Sequence, residues 1–239
     1  SNPVRARFYE YPRFTYPWHF HSEYEIIYVE KGEGDCLVGD SIISYSKGDL
    51  ILFGSELPHS MQSPPDDGEE SDNEEKSELK VRGVNIQFEK DFMHYSISQY
   101  SQFIPIRNLL EDACRGIKFT ITRSGKIIKL LKQIPSAKGV DQIILLLSLL
   151  QMMATSNHRK YLTTSHYTPS PSIMRNERME KVIAYLNKHY TESIGLDEIA
   201  SYTAMNPTAF CRYFKENTGK TFKEYVLCLL YTSPSPRDS

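Results

Sequence analysis

Short apolar segments that recur at regular spacing are the feature that most restricts how the first ninety residues of this chain fold. They are separated by KGEG, GDS and SKGD, whose glycine and aspartate residues tolerate positive φ and close tight turns. Strands at this spacing are typical of an antiparallel barrel or sandwich. The clearest predicted strands are residues 24–30, 35–38, 42–45, 50–53 and 79–88.

An acidic segment, residues 64–78, interrupts the predicted barrel before its last strand. Its sequence, PPDDGEESDNEEKSE, has eight acidic residues and one lysine. Like charges at this density repel one another and cannot be buried, so we predict an exposed, unstructured insertion. The spacing of an EF-hand calcium loop is absent. Since the whole chain has a net charge of −2, the rest of it is basic, near +5.

Helical periodicity replaces strand alternation after residue 90. Helices are predicted at residues 105–114, 126–134 and 140–154. The third is apolar on nearly every face, which predicts that it packs against the barrel and contacts a second copy of the chain. Residues 156–174, rich in Ser, Thr and Pro, are predicted to be a linker.

Composition and segment lengths exclude several classes of protein. Apolar residues make up 40% of the chain and charged residues 24%, a balance typical of globular proteins. No apolar stretch is long enough to cross a bilayer, and the first residues lack the apolar core of a secretion signal. The four cysteines form no C-x-x-C pair, which argues against a disulfide framework or structural zinc. We therefore predict a cytoplasmic protein without membrane contact.

Strong helix-boundary signals lie in the last quarter of the chain. One helix is predicted to begin after Gly195, and the next after Asn206, with Pro207 at its first position. Two short helices joined by a tight turn form a helix-turn-helix, whose second helix enters the DNA major groove. With Phe210 and Phe214 facing inward, the predicted DNA-contacting residues are Thr208, Ala209, Cys211, Arg212 and Lys215.

Residues 196–226, LDEIASYTAMNPTAFCRYFKENTGKTFKEYV, resemble the first of the two helix-turn-helix units of AraC-type transcription regulators. The resemblance implies binding of double-stranded DNA, with base contacts at Thr208, Cys211 and Arg212, and an N-terminal domain that senses a small molecule. Ala204 stands where the family usually has Gly; a positive φ there would cost about 1 kcal/mol. The second unit is missing, and residues 227–239 are interpreted as a non-native tail, so the chain is interpreted as a fragment.

Residues 18–32, WHFHSEYEIIYVEKG, are similar to the first motif of cupin proteins through His19, His21 and Glu25, and His59 matches the second motif. Positions 19, 21 and 25 share parity, so on one extended strand their side chains would all face the barrel interior. We predict that these four residues and Trp18 bind an effector, a sugar for example. The alternative at this site is a divalent metal held by His19, His21, Glu25 and His59.

The complete prediction is an α+β fold, with a cupin-like β-barrel and flanking helices followed by an all-α helix-turn-helix segment. The predicted domains are an effector-sensing barrel (1–90), a helical segment for dimerisation or packing (91–155), the linker (156–174), a DNA-binding unit (175–226) and the tail (227–239).

Three functions are compatible with this organisation. The first is a homodimeric, effector-responsive regulator that is not an enzyme and needs no cofactor. The second is a metal-dependent cupin enzyme, a dioxygenase or an isomerase, which would leave the C-terminal helices unexplained. The third is a short chain that dimerises with an intact sibling and inhibits it.

Overall fold

The computed structural model describes residues 2–64, 81–121, 125–168, 179, 181–182, 185–186, 189, 194–218 and 221–231. Within these ranges the chain is a mixed α+β structure, with antiparallel sheets in its N-terminal part and helices in its C-terminal part. The predicted α+β class is confirmed at this level. No helix among the described residues is long and apolar enough to cross a membrane.

The described strands form two antiparallel sheets. The larger sheet contains, in spatial order, β1 (Val4–Tyr11), β8 (Val81–Phe88), β3 (Tyr24–Lys31), β6 (Asp49–Phe53), β9 (Ile117–Thr120) and β10 (Arg159–Tyr161). The smaller sheet contains β2 (Thr15–His19), β7 (His59–Gln62), β4 (Gly34–Val38) and β5 (Ser41–Tyr45). The structure thus confirms the predicted strands 24–30, 35–38, 42–45 and 50–53, and residues 81–88 of the fifth.

The two sheets share an apolar core, but no described strand pairs with a strand of the other sheet. The barrel prediction is therefore corrected: the described strands form two sheets and not one closed barrel. The shared core contains Tyr9, Ile27 and Phe53 from the larger sheet and Cys36 and Met61 from the smaller one. Because the strands alternate, the same sheets present their other faces to the helices.

Seven α-helices have both ends within the described residues, and the described residues between 179 and 189 are also helical. The seven are α1 (His94–Gln99), α2 (Ile104–Asp112), α3 (Gly125–Gln133), α4 (Gly139–Ala154), α5 (Leu196–Tyr202), α6 (Pro207–Thr218) and α7 (Phe222–Tyr231). Short 3₁₀ turns follow α1, α2 and α3, at Ser101–Phe103, Ala113–Arg115 and Ile134–Ser136. The three helices predicted between residues 105 and 154 are confirmed as α2 to α4.

The helices α1 to α4 cover the outer face of the larger sheet. Ile26, Leu50 and Ile86 of that sheet are fully buried with Leu109 of α2 and Leu149 of α4. Burying each such side chain stabilises the fold by about 1.5–3 kcal/mol relative to leaving it in water. The central strands β3, β6 and β8 are thus buried on both faces, which explains why they are so apolar.

The pair α5–α6 has the local geometry that its sequence predicts. The backbone N–H of Ala209 donates to the Asn206 side-chain oxygen at 2.8 Å, which makes Asn206 the N-cap of α6. In the connecting turn Ala204 has φ 55°, in the left-handed region where the family usually has glycine. Phe210 and Phe214 are fully buried, as predicted from their spacing.

Parts of five predicted segments lie outside the described residues: 65–78 of the acidic insertion, 79–80 of the last predicted strand, 169–174 of the linker, 175–178, much of 180–193 and 219–220 of the DNA-binding unit, and 232–239 of the tail. Two predicted boundaries need adjustment. Residues 159–161 of the predicted linker form β10, which pairs with β9. Residues 227–231 of the predicted tail continue α7, so the boundary at 226 falls inside a helix.

Candidate functional site

The Glu25 side chain is the centre of a polar cluster between the two sheets. Glu25 lies on β3 and is only 4% exposed. One carboxylate oxygen accepts hydrogen bonds from Nε2 of His59 at 2.8 Å and Nε2 of His21 at 3.2 Å. The other accepts from the side-chain amides of Asn85 and Gln87 on the neighbouring strand β8. Four donors thus compensate for the desolvation of one buried negative charge.

Both histidines that bond to Glu25 also face a second acceptor. Nδ1 of His59 lies 2.8 Å from the carbonyl oxygen of Leu57, and Nδ1 of His21 lies 3.0 Å from that of Glu23. A carbonyl and an ionised carboxylate both accept hydrogen bonds, and each imidazole N–H can donate to one of them. The cluster is therefore built as a buried carboxylate surrounded by imidazole N–H donors.

His19 completes the cluster from the smaller sheet. It pairs with His59 across β2 and β7, and the two imidazole rings are 4.4 Å apart. Its ring lies 5.5 Å from that of His21. One potential ligand atom from each of His19, His21, Glu25 and His59 lies within 4.8 Å of the others. The structure therefore brings together the four residues that the sequence placed in one site.

The route by which these residues meet differs from the one expected. His19 ends β2, His21 lies in the connection after it, and Glu25 lies on β3 in the other sheet. The expectation that positions 19, 21 and 25 share one extended strand is wrong, because the chain turns between His21 and Tyr24. The residues converge because the chain passes from one sheet to the other at this point.

Opposing effects act on the pKa values of the cluster. Burial alone would raise the pKa of the Glu25 carboxyl, but hydrogen bonds and positive charge from His21 and His59 hold it well below its usual 4.5. Burial alone would lower the pKa of His21, but its hydrogen bond to Glu25 and the carboxylate charge raise it above its ordinary value. Each group thus favours the charged form of the other.

Three residues of the site were not predicted from the sequence. Asn85 and Gln87 bond to Glu25, and the Phe53 ring stacks on His59 at 4.0 Å between centroids. The sequence did contain a signal for the two amides. Asn85 and Gln87 are two positions apart, so they lie on the same face of a strand whose other buried positions are apolar or glycine. The position of Phe53 depends on the pairing of β3 with β6, which local patterns do not specify.

Trp18, the fifth predicted effector-binding residue, does not lie with the histidines. It is 3% exposed and packs among residues of the C-terminal helices, with its ring 5.8 Å from that of Tyr225 on α7. His19 follows it directly, so the two side chains leave β2 on opposite sides. We therefore leave Trp18 out of the proposed effector site.

The predicted DNA-contacting residues lie along the surface of α6. Thr208, Arg212 and Lys215 are exposed, and Ala209 and Cys211 are half-buried. The Arg212 side chain is 81% exposed, and its Nε lies 3.9 Å from the Glu216 carboxylate. Cys211, Arg212 and Lys215 also line a groove of about 620 Å³ with Thr221, which precedes α7, and Lys223 of α7. Lys223, which the sequence did not single out, adds positive charge to this surface.

Comparison with known proteins agrees with this geometry. Residues 2–72 match the family model described as the AraC-like ligand binding domain, and this range contains all four residues of the cluster. The resemblance to AraC-type regulators is confirmed. The chain is 23% identical over 220 residues to YbfI of Bacillus subtilis, an uncharacterized HTH-type transcriptional regulator, with 88% of this chain and 69% of YbfI covered. YdeC of the same organism, described in the same words, is 22% identical over 221 residues with the same coverage.

Solved structures of ToxT from Vibrio cholerae are also similar to this chain, at lower sequence identity. An apo variant of ToxT has 16% sequence identity and a TM-score of 0.43, with 96% of this chain and 80% of ToxT covered. The structure of wild-type ToxT bound to an unsaturated fatty acid has 15% identity and a TM-score of 0.42, with 96% and 78% covered. Similarity this low supports no statement about the site.

The Glu25→Gln substitution should destabilise the protein by roughly 3 kcal/mol, because the new amide N–H₂ would face the donors that the carboxylate now satisfies. Glu25 has a lowered pKa in the folded state, so its contribution exists above the unfolded pKa of 4.5 and is lost as the pH falls through the folded value. The difference between wild type and variant should therefore shrink in acid. Urea denaturation from pH 3 to 7, with EDTA present, measures it.

Glu30→Gln is the matched control for this prediction. Glu30 lies on the same strand and pairs with Arg82 and Lys132, whose side chains are about half exposed. Its replacement should change the free energy of unfolding by less than about 1 kcal/mol. Equal effects of the two substitutions on the free energy of unfolding at neutral pH would show that the Glu25 network stabilises the protein no more than a surface ion pair does.

Proposed function

We propose that this protein is a cytoplasmic transcription regulator of the AraC type that responds to a small-molecule effector. The effector binds at the His19–His21–Glu25–His59 cluster, and double-stranded DNA binds along α6. The observation that carries the proposal is that the match to the AraC-like ligand binding domain, residues 2–72, contains the whole cluster. The relatives that align over 88% of the chain are named transcriptional regulators.

Each predicted domain has a role in this proposal. Residues 1–90 sense the effector, 91–155 pack on the larger sheet and dimerise, 156–174 link the two halves, and 175–226 bind DNA. The proposed DNA-binding unit includes α7 up to Tyr231, because the helix continues beyond residue 226.

The chemistry of the cluster favours a polar, hydroxyl-bearing effector such as a sugar. Glu25 offers a buried acceptor, and His19, His21, Asn85 and Gln87 surround it with side chains able to donate. A hydroxyl group both donates and accepts, so it can insert between the carboxylate and a donor without leaving either unsatisfied. An apolar ligand would leave these groups buried without partners.

The exposed surface of α6 supports DNA binding. The exposed Arg212 guanidinium can form a bidentate hydrogen bond with a guanine, and Thr208 lies in the first turn of the helix. Lys215 and Lys223 are placed to contact phosphate. A single helix-turn-helix makes few phosphate contacts, and affinity depends steeply on their number. We propose that tight, specific binding needs a second unit after this one, as the AraC resemblance implies.

A mobility-shift or anisotropy measurement with the gene's own upstream DNA tests the function. The chain is compared with the same chain extended by a second helix-turn-helix unit, at low salt with competitor DNA. We expect a specific complex with the extended chain. In that chain Arg212→Ala should weaken specific binding by about 1–3 kcal/mol and relax base preference at one position.

The control for this prediction is Arg82→Ala, which removes an exposed arginine of β8 that pairs with Glu30. It should leave DNA affinity unchanged. Unaltered affinity and base preference in Arg212→Ala would remove Arg212 from the proposed interface, and no complex with either chain would contradict the regulator proposal.

We further propose that the protein is a homodimer through α4. One side of this helix is buried on the sheet core, and the opposite side exposes Val140 (69%) and Ile144 (52%) at adjacent turns, beside the half-buried Leu147. A matching stripe on a second copy would cover these side chains, as in an antiparallel or parallel helix pair.

Ile144→Glu should convert the dimer to a monomer, because it places a charge in the apolar contact. Sedimentation velocity at increasing concentration measures the change. Tyr95→Glu is the control, since Tyr95 is 70% exposed on a different helix, α1. A dimer that persists in Ile144→Glu, or one lost equally in both variants, would exclude α4 as the specific contact.

The alternative function, a metal-dependent cupin enzyme, is favoured by one observation: four potential ligand atoms lie within 4.8 Å of one another. His19, His21, His59 and Glu25 fit an Fe, Mn, Ni or Zn ion by donor type. A bound ion would have to replace the N–H hydrogen bonds that His21 and His59 now make to Glu25.

Elemental analysis of the purified protein separates the two functions. A regulator that binds only an organic effector should contain less than about 0.1 equivalents of transition metal. Stoichiometric iron or manganese that is absent from His19→Ala, but retained in a surface control such as His158→Ala, would favour the enzyme.

A further inference from the structure

Strand β2 presents consecutive residues to two different parts of the molecule. Trp18 points away from the space between the sheets and is buried in a cluster with residues of the C-terminal helices. The rings of Trp18 and Tyr225 of α7 pack edge to face, with 5.8 Å between their centroids and an interplanar angle of 87°. This arrangement is a favourable one for two aromatic rings and depends on their relative orientation.

His19 continues the same strand into the histidine–glutamate cluster. Its ring is 4.4 Å from that of His59, its partner in the neighbouring strand β7. One peptide unit therefore joins a residue of the proposed effector site to a residue that packs on the C-terminal helices. A single planar peptide joins the two Cα atoms, so a displacement of the His19 backbone also moves the backbone of Trp18.

The second contact of this kind is made by β4. Leu37 is buried in the same cluster as Trp18 and Tyr225. Leu37 pairs with Ser60 of β7, and the next residue, Val38, pairs with His59. Trp18 and Leu37 are the buried residues that the smaller sheet contributes to that cluster. Trp18 is next to His19, which belongs to the site, and Leu37 is next to Val38, which pairs with His59.

We propose that the outer surface of the smaller sheet formed by Trp18 and Leu37 couples the histidine–glutamate cluster to the C-terminal helices through β2. A change at His19, or in what His19 holds, alters the packing of Trp18 against Tyr225 and so the stability of α7. The coupling is reciprocal, so a change in the docking of α7 also alters ligand affinity at the cluster. The interpretation of this coupling as effector control of DNA binding rests on the function proposed above. The physical coupling between the cluster and α7 does not depend on that function.

Hydrogen–deuterium exchange of the full chain tests this coupling. His19→Ala should speed exchange of the α7 backbone, residues 222–231, by about threefold to tenfold, while α4, residues 139–154, remains protected. His21→Ala is the matched control: it removes an imidazole from the same cluster but lies outside β2, so α7 should keep its wild-type exchange. Tyr225→Leu should speed α7 exchange as His19→Ala does.

Trp18 emission gives a second readout, because it is the only tryptophan in the chain. Tyr225→Leu and His19→Ala should both shift its emission to longer wavelength, and the double variant should shift it little further. If His19→Ala also exposes α4, the milder His19→Gln replaces it under the same criteria. Equal α7 exchange in the His19 and His21 variants, or additive effects of the His19 and Tyr225 substitutions, would overturn the proposal.

The two proposals fail in different ways. Loss of DNA binding in the extended chain, with exchange of α7 still responding to His19, would leave the coupling intact and refute the regulator. Specific DNA binding that depends on Arg212, with α7 indifferent to His19, would retain the regulator and exclude β2 as the route of control.

Discussion

A buried carboxylate between two sheets is the constraint on which much of this structure depends. An ionised Glu25 without partners would cost several kcal/mol, so the fold must deliver compensating donors to one place. They come from β7, from β8 and from the connection that follows β2. The same requirement aligns the two sheets, because a shift of either would separate His59 from Glu25.

The apolar core keeps this polar cluster at one end of the space between the sheets. Large side chains fill the remainder, including Phe14, Tyr45 and Phe53, each at most 1% exposed. Phe53 bridges the two regions by stacking on His59 at an interplanar angle of 8°. The buried side chains thus restrict the cluster on its inner side. Donors that are held in place in this way would lose little freedom on binding the proposed effector.

The helices divide into two groups with different relations to this site. The group α1 to α4 packs on the larger sheet through side chains that belong to the core and not to the cluster, so it supports the site mechanically. The C-terminal group packs on the smaller sheet through Trp18 and Leu37, beside residues of the site. The proposed effector site and the proposed DNA-binding helices therefore lie on the two faces of the smaller sheet. The exposed side of α4 is the proposed contact with a second chain.

The sequence by itself determined the local features of this protein: the strand and helix spacing, the Asn206–Pro207 start of α6, the inward Phe210 and Phe214, and the exposure of Arg212. These follow from periodicity and capping, which act between residues a few positions apart. Only the tertiary structure decided that Asn85 and Gln87 reach Glu25, that Trp18 faces away from His19, and that the strands form two sheets and not one barrel. Those outcomes depend on pairings such as β3 with β8, some sixty residues apart, and on a turn that breaks the parity of positions 19 to 25. Pairing between distant strands is chosen by the total packing and hydrogen bonding of the folded chain, which no short segment of sequence specifies.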